Sequence, residues 1–307
     1  MKVCFVFPGQ GSHYVGMFSP FLEKSEYRYY FQVIERILGK EFIDKLQNGP
    51  EEVLKDTRIS QPAIFSVSAM LSDFLKKEGI LAEYAVGHSL GEYSAFYYAE
   101  VYNFEDGLNL IKKRSEVMSE VAEKVKGGMW AILGGDLGEI ENSVKESQKE
   151  GLNIFIANYN SPGQIVLSGE NEAYDFWYQK MKDKIKRVVP LSVSGPFHSP
   201  LMKEAEEIFK EYLINFNFNK PKYKVFSSTT CDFVENNIKD ILIKQFTGSV
   251  RWIEAINSIY NLGIDYFIEV GPGKVLQGLI KKIIPEVKVL GIEKPEDLET
   301  LKGELGC

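Results

Sequence analysis

Gly87-His88-Ser89-Leu90-Gly91 is the segment that most narrows the folds open to this chain. A β-type run, Tyr84-Ala85-Val86, leads into it, and a helix-like run from Glu92 to Ala99 follows. The pentapeptide reads G-x-S-x-G, and strand, sharp turn, helix is the context a nucleophile elbow requires. The turn is too tight for a Cβ on either side of the serine, which is why glycine brackets it. Such an elbow lifts Ser89 Oγ clear of the backbone. It also aims the Leu90 N–H, at the start of the helix, at the space where an oxyanion forms. A bare G-x-S-x-G is compatible with a plain connecting turn, and it is the flanking strand and helix that favour catalysis.

Other short apolar runs end in the same way. Val3 to Phe7 runs into Pro8-Gly9-Gln10-Gly11-Ser12, Tyr223 to Phe226 into Ser227-Ser228-Thr229-Thr230, and Tyr266 to Val270 into Gly271-Pro272-Gly273-Lys274. Helical patterns separate them, over 61–78, 104–124, 199–215 and 274–284. Strands alternating with helices predict an α/β fold with a mainly parallel sheet covered on both faces. Ligands in such sheets bind beyond the C-terminal strand ends. Gln10, Ser89 and the 271–274 loop are therefore expected to converge. Residues 127–191 break the rhythm, reading strand (129–134), helix (136–149), strand (153–158), strand (164–168), helix (170–182), strand (186–191). That is βαββαβ, the ferredoxin-like order. The expected division is a large domain of 1–126 and 195–307 with a subdomain, 127–194, inserted in it. The cleft between the two is a natural binding site. The run 294–303 reads as a short polar surface helix.

The chain has 307 residues and a net charge of −7, with no basic stretch interleaved with aromatics, which argues against a nucleic-acid partner. Cys4, Cys231 and Cys307 are far apart, with neither a disulfide framework nor a metal spacing. The N-terminus enters a strand at once, with no signal peptide, and no membrane-spanning run is present. A cytoplasmic protein without metal or prosthetic group is expected.

A nucleophilic serine needs a base, and only His13, His88 and His198 are available. His88 neighbours Ser89 on a tight turn, which points its ring away, so a structural role fits it. His13 reads as a solvated loop residue. His198 lies in Ser194-Gly195-Pro196-Phe197-His198-Ser199-Pro200, a rigid turn at the cleft mouth, and is the base candidate. No aspartate is clearly placed to orient it, so a dyad is favoured, with a backbone carbonyl able to hold Nδ1–H. Arg114 is centred on the buried side of an amphipathic helix, with Leu110, Ile111, Val117, Met118 and Val121 all within about 60° of it. A buried guanidinium needs a partner. Two partners fit equally: a core carboxylate, or a substrate carboxylate gripped by the bidentate fork. Gln10, between two glycines, is a weak candidate for a second oxyanion donor. Its loop lacks the spacing and lysine of a Walker A phosphate loop.

At these residues the chain resembles the malonyl-CoA:acyl carrier protein transacylases. The matching segments are Phe7-Pro8-Gly9-Gln10-Gly11-Ser12, Gln61-Pro62-Ala63, Gly87-His88-Ser89-Leu90-Gly91-Glu92, Arg114 followed by Met118, Asn160-Ser161-Pro162-Gly163-Gln164, Phe197-His198-Ser199-Pro200-Leu201-Met202 and Glu269-Val270-Gly271-Pro272-Gly273. They stand in the family's order and span nearly the whole chain. The resemblance implies an α/β-hydrolase-like domain with a ferredoxin-like insert. It implies Ser89 as nucleophile, His198 as base, Arg114 as anchor of the malonyl carboxylate, and Gln10 with the Leu90 N–H around the oxyanion. Met118 and Phe197 would line the acyl pocket, Phe197 narrowing it against a methyl branch. It further implies a main-chain carbonyl in Ser249-Val250-Arg251-Trp252 as the group that orients His198. Malonyl-CoA and acyl carrier protein are the implied partners, with fatty acid biosynthesis as the setting. Where relatives often carry Gln after Gly-Ser, this chain has His13, to which no role attaches.

A serine esterase or thioesterase shares the elbow, but Arg114 and the full set of segments argue against it. Loading of a polyketide pathway is the same chemistry in another setting. A non-catalytic docking module is disfavoured by the intact Ser89 and His198. An acidic carrier protein needs a local basic patch on this acidic chain, and Lys274, Lys281, Lys282, Lys186 and Arg187 are candidates.

Overall fold

The computed structural model describes residues 1–306. Among these residues ten strands form two sheets: β1 (Val3–Phe7), β2 (Tyr84–Gly87), β3 (Gly127–Leu133), β4 (Ile154–Ser161), β5 (Gln164–Glu170), β6 (Arg187–Pro190), β7 (Lys224–Ser227), β8 (Asp232–Phe233), β9 (Tyr266–Val270) and β10 (Lys288–Ile292). The larger sheet has the order β10-β9-β1-β2-β7-β8. Its first five strands are parallel, and β8 pairs antiparallel at the edge. Every residue of β1 is buried, as a strand covered on both faces requires. Successive side chains alternate between faces. Phe5 and Phe7 accordingly join the core on one side, while Cys4 and Val6 join that on the other.

The smaller sheet has the order β4-β5-β3-β6, antiparallel throughout. With the helices Leu137–Lys149 and Asn171–Met181 it forms the expected βαββαβ unit. Its own core is built around Trp130, Ile132, Leu167 and Trp177. Three hydrogen bonds fasten β4 of this sheet to the connecting segment 249–250. The Tyr159 N–H donates to Val250 O (2.9 Å) and the Val250 N–H to Ala157 O (2.8 Å). Ser249 Oγ donates to Ile156 O at 2.6 Å.

Two expectations need correction. The run 294–303 is not a polar surface element: the helix Leu298–Leu305 inserts Leu298, Leu301 and Leu305 into the core. That i, i+3, i+7 spacing is a helical apolar stripe diluted by the charges between. The pattern 199–215 is two pieces, a 3₁₀ turn at Pro200–Met202 and a helix at Lys203–Leu213. Cys4 and Cys231 are free thiols, and Cys307 lies outside the described residues. Among the described residues no helix is long and apolar enough to cross a membrane.

Candidate active site

The elbow between β2 and the helix Gly91–Tyr98 carries Ser89 at φ +53°, a left-handed conformation that side chains seldom adopt. The bracketing glycines permit it sterically. A Cβ on Gly87 would stand 2.0 Å from Glu92 N, and one on Gly91 1.9 Å from Phe7 O. The second contact also shows how closely the elbow presses on the end of β1, the convergence of strand ends expected above. The first bonded amide of the helix is Gly91 N–H, which donates to His88 O. The Leu90 N–H precedes it, among the orphan donors of a helix N-terminus.

Ser89 Oγ lies 2.7 Å from His198 Nε2. His198 also has a positive φ, +56°, in a turn held against the helix Phe104–Ala122. A Cβ on Gly195 would stand 2.4 Å from Ala122 Cβ, so only glycine lets the turn approach this far. His198 Nδ1 faces two carbonyls, Gln245 O at 3.0 Å and Gly248 O at 3.2 Å. Carbonyls only accept, so Nδ1 carries the hydrogen and Nε2 presents its lone pair to Ser89. The orienting group is therefore not in 249–252. Val250 O is occupied by the Tyr159 N–H. Gln245, by contrast, caps the end of the helix Ile238–Lys244, where carbonyls lack intrahelical partners.

Burial, reinforced by the nearby Arg114 cation and by His88, drives the His198 pKa down to about 3. The imidazole is thus neutral across the physiological range. A reaction that uses this imidazole as its base should keep its kcat/KM from pH 7 down to about pH 5, because kcat/KM titrates the base of the free protein. An acid limb with its midpoint near 6.5 would contradict this depression.

Arg114 is only 1% exposed, yet among the described residues no carboxylate touches it. Its Nη2 donates to Ser89 Oγ (3.3 Å) and Gln245 Oε1 (2.7 Å), Nε to the same Oε1 (3.1 Å), and Nη1 to Gln61 Oε1 (2.7 Å). Its guanidinium lies 5.4 Å from the Tyr93 ring centroid and 5.8 Å from that of Phe246. Of the two partners open to this charge, a core carboxylate makes no direct contact with it among the described residues, and the guanidinium reaches the serine.

The remaining candidates cluster nearby. Gln10 donates through Nε2 to Thr57 Oγ1 (3.3 Å) and accepts from Gln61 Nε2 (3.4 Å), so Gln61 links it to Arg114. Met118 Sδ accepts from Gln61 Nε2 at 3.7 Å. Phe197 is buried in the main core beside its catalytic candidate neighbour. His88 turns away from Ser89, bonding Asn160 Oδ1 at 2.8 Å and packing edge-on to Trp252. His13 is not a freely solvated loop residue: it is partly buried, and its Nδ1 accepts from the Gly11 N–H. Of the basic candidates, Lys274 faces Glu293 and Lys281 bonds the carbonyls of Pro285 and Val287. Gln61, Glu92 and Gln245 are site residues to which no role was assigned from sequence. Gln61 and Glu92 sit inside matching segments, and Gln245 lies outside all of them, after Lys244 in Ile243-Lys244-Gln245-Phe246. A cavity of about 290 Å³ opens onto His198, walled by Val144 and Gln148 of the insert, Phe155 and Tyr159 of β4, and Thr247.

Residues 4–299 match the acyl transferase domain family. A malonyl CoA-acyl carrier protein transacylase from Synechocystis sp. is 38% identical over 98% of this chain and 100% of its own. One from Bacillus subtilis is 37% identical, over 99% and 98% respectively. A type II PKS acyl-carrier protein in complex with its malonyl-transacylase supplies a structure similar at TM-score 0.93 and 32% identity, over 99% of this chain and 100% of that one.

Proposed function

The chain belongs to the acyl transferase family, and on that premise we propose that Ser89 is its nucleophile, His198 its general base and Arg114 the anchor of the substrate carboxylate. The reaction is transfer of malonyl from coenzyme A to the pantetheine thiol of acyl carrier protein. One observation carries the assignment of roles: Ser89 Oγ stands between an imidazole lone pair at 2.7 Å and a buried guanidinium at 3.3 Å.

Malonyl-CoA binds with its free carboxylate on the Nη1/Nη2 edge of Arg114, taking the donor that otherwise rests on Ser89 Oγ. That frees the hydroxyl for attack on the thioester carbonyl, while His198 Nε2 takes its proton. The tetrahedral oxyanion is held by the Leu90 N–H and a donor at Gln10, each good donor being worth about 3 kcal/mol. The imidazolium, steadied by the Gln245 and Gly248 carbonyls, returns the proton to the leaving sulfur. The C–S bond breaks and a malonyl-serine ester remains. The carrier thiol then enters, loses its proton to His198 and attacks the ester, and Ser89 leaves with that proton. The cavity walled by Val144, Gln148, Phe155, Tyr159 and Thr247 is the path for the pantetheine arm. Residues 127–194 form one wall of it as a subdomain inserted in the larger domain (1–126 and 195–307), and His198, Pro200, Thr247 and Ser249 of the larger domain form the other. The setting is cytoplasmic fatty acid synthesis, which the unbridged Cys4 and Cys231 suit.

Initial rates test this scheme. Varying malonyl-CoA at several fixed concentrations of holo acyl carrier protein should give parallel double-reciprocal lines, because one site serves both half-reactions. Intersecting lines would require a ternary complex and remove the covalent intermediate.

A further inference from the structure

The Gln245 side chain joins three parts of the site and is fully buried. Its Oε1 accepts from Arg114 Nε at 3.1 Å and Nη2 at 2.7 Å. Its Nε2 donates to Glu92 Oε2 at 2.7 Å and to Ser89 O at 2.9 Å. The amide has only one orientation open to it. A guanidinium has no acceptor, so the oxygen must face Arg114. Glu92 Oε2 also accepts from Thr229 Oγ1 at 3.1 Å, so the NH₂ must face the carboxyl and the Ser89 carbonyl. Glu92 is itself fully buried and does not reach Arg114 directly; the amide spans the gap between them.

From this geometry we infer that Gln245 is a positioning residue, whose carboxamide relays the Glu92 carboxyl to Arg114 and fixes the guanidinium edge left open beside Ser89, thereby setting the preference for acyl groups that end in a carboxylate. The inference rests on the role given above to Arg114. Arg114 is a long side chain with many rotamers, and a bidentate grip is specific only if the fork is held in place beforehand. Gln245 Oε1 occupies the Nε/Nη2 edge and Gln61 Oε1 holds one Nη1 hydrogen. The Nη1/Nη2 edge beside Ser89 remains for a ligand.

The test is steady-state kinetics with malonyl-CoA and acetyl-CoA on Gln245→Met, Gln245→Glu and Arg114→Ala. Methionine keeps the length and loses the four hydrogen bonds of the carboxamide, while the main-chain carbonyl at 245 stays with His198. It should lower the malonyl-to-acetyl ratio of kcat/KM by about 10-fold or more, chiefly through a raised malonyl KM. Glutamate is isosteric and sets an internal carboxylate on the guanidinium, so it should lower the same ratio; it decides alone if the methionine variant does not fold. A ratio within about threefold of the parent in the folded variants would overturn the relay, as would equal losses for both acyl groups. The two failures are distinguishable. If Arg114→Ala shifts the ratio and the Gln245 variants do not, the relay falls and the anchor stands. If Arg114→Ala leaves the ratio unchanged, the anchor falls too.

Discussion

Ser89→Ala is expected to lower malonyl transfer by about 10⁴-fold or more, the scale on which removing a nucleophile acts. The loss should appear in kcat, because the substrate carboxylate still finds Arg114. The substitution removes only Oγ. The main-chain carbonyl of Ser89 still accepts from Gln245 Nε2, and the glycines that shape the elbow remain. The variant should therefore fold like the parent, and coincident unfolding midpoints would check this. Any residual rate would have to come from direct attack by the carrier thiol, with His198 as base and no ester formed. A variant retaining a tenth or more of the parent activity would show that the acyl group does not pass through this hydroxyl.

Arg114→Ala should reduce kcat/KM for malonyl-CoA by about 10²-fold or more, the loss expected when a bidentate charged contact is removed from a dry site. For acetyl-CoA the reduction should be much smaller, since that substrate has no carboxylate to lose. The contrast between the two substrates is the informative quantity. The mutation also strands Gln61 Oε1 and Gln245 Oε1 in the interior, and buried acceptors without donors destabilise the fold. A lower unfolding temperature is expected alongside, and it affects both substrates alike. Equal losses for malonyl and acetyl would assign Arg114 to structure.

The main lines of the fold are legible because its strands are short, apolar and punctuated by glycine. The elbow, the parallel sheet and the βαββαβ insert all follow from periodicity and turn chemistry. The helix Leu298–Leu305 was harder to read because its buried leucines are separated by charges and follow Lys294-Pro295-Glu296. In the site, Ser89 and Arg114 announce themselves through local pattern, a strained turn and a charge on an apolar helix face. The groups that hold them do not. His198 is oriented by the carbonyls of Gln245 and Gly248, and a carbonyl has no sequence signature. Position decides which one is free: the carbonyl at the end of a helix is, while Val250 O, five residues on, is bound to β4. The Gln245 side chain was invisible for the same reason, since its meaning lies in bridging Glu92 and Arg114 across more than a hundred residues of chain.

The central claim is that a malonyl ester forms on Ser89 with Arg114 clasping its far end. Intact mass spectrometry of the protein mixed with malonyl-CoA, without any thiol acceptor, tests it most directly. The expected result is a single added malonyl group, mapped by peptide digestion to the segment containing Ser89, absent in Ser89→Ala and discharged by holo acyl carrier protein. An unmodified mass, or a label that persists in Ser89→Ala, would contradict it.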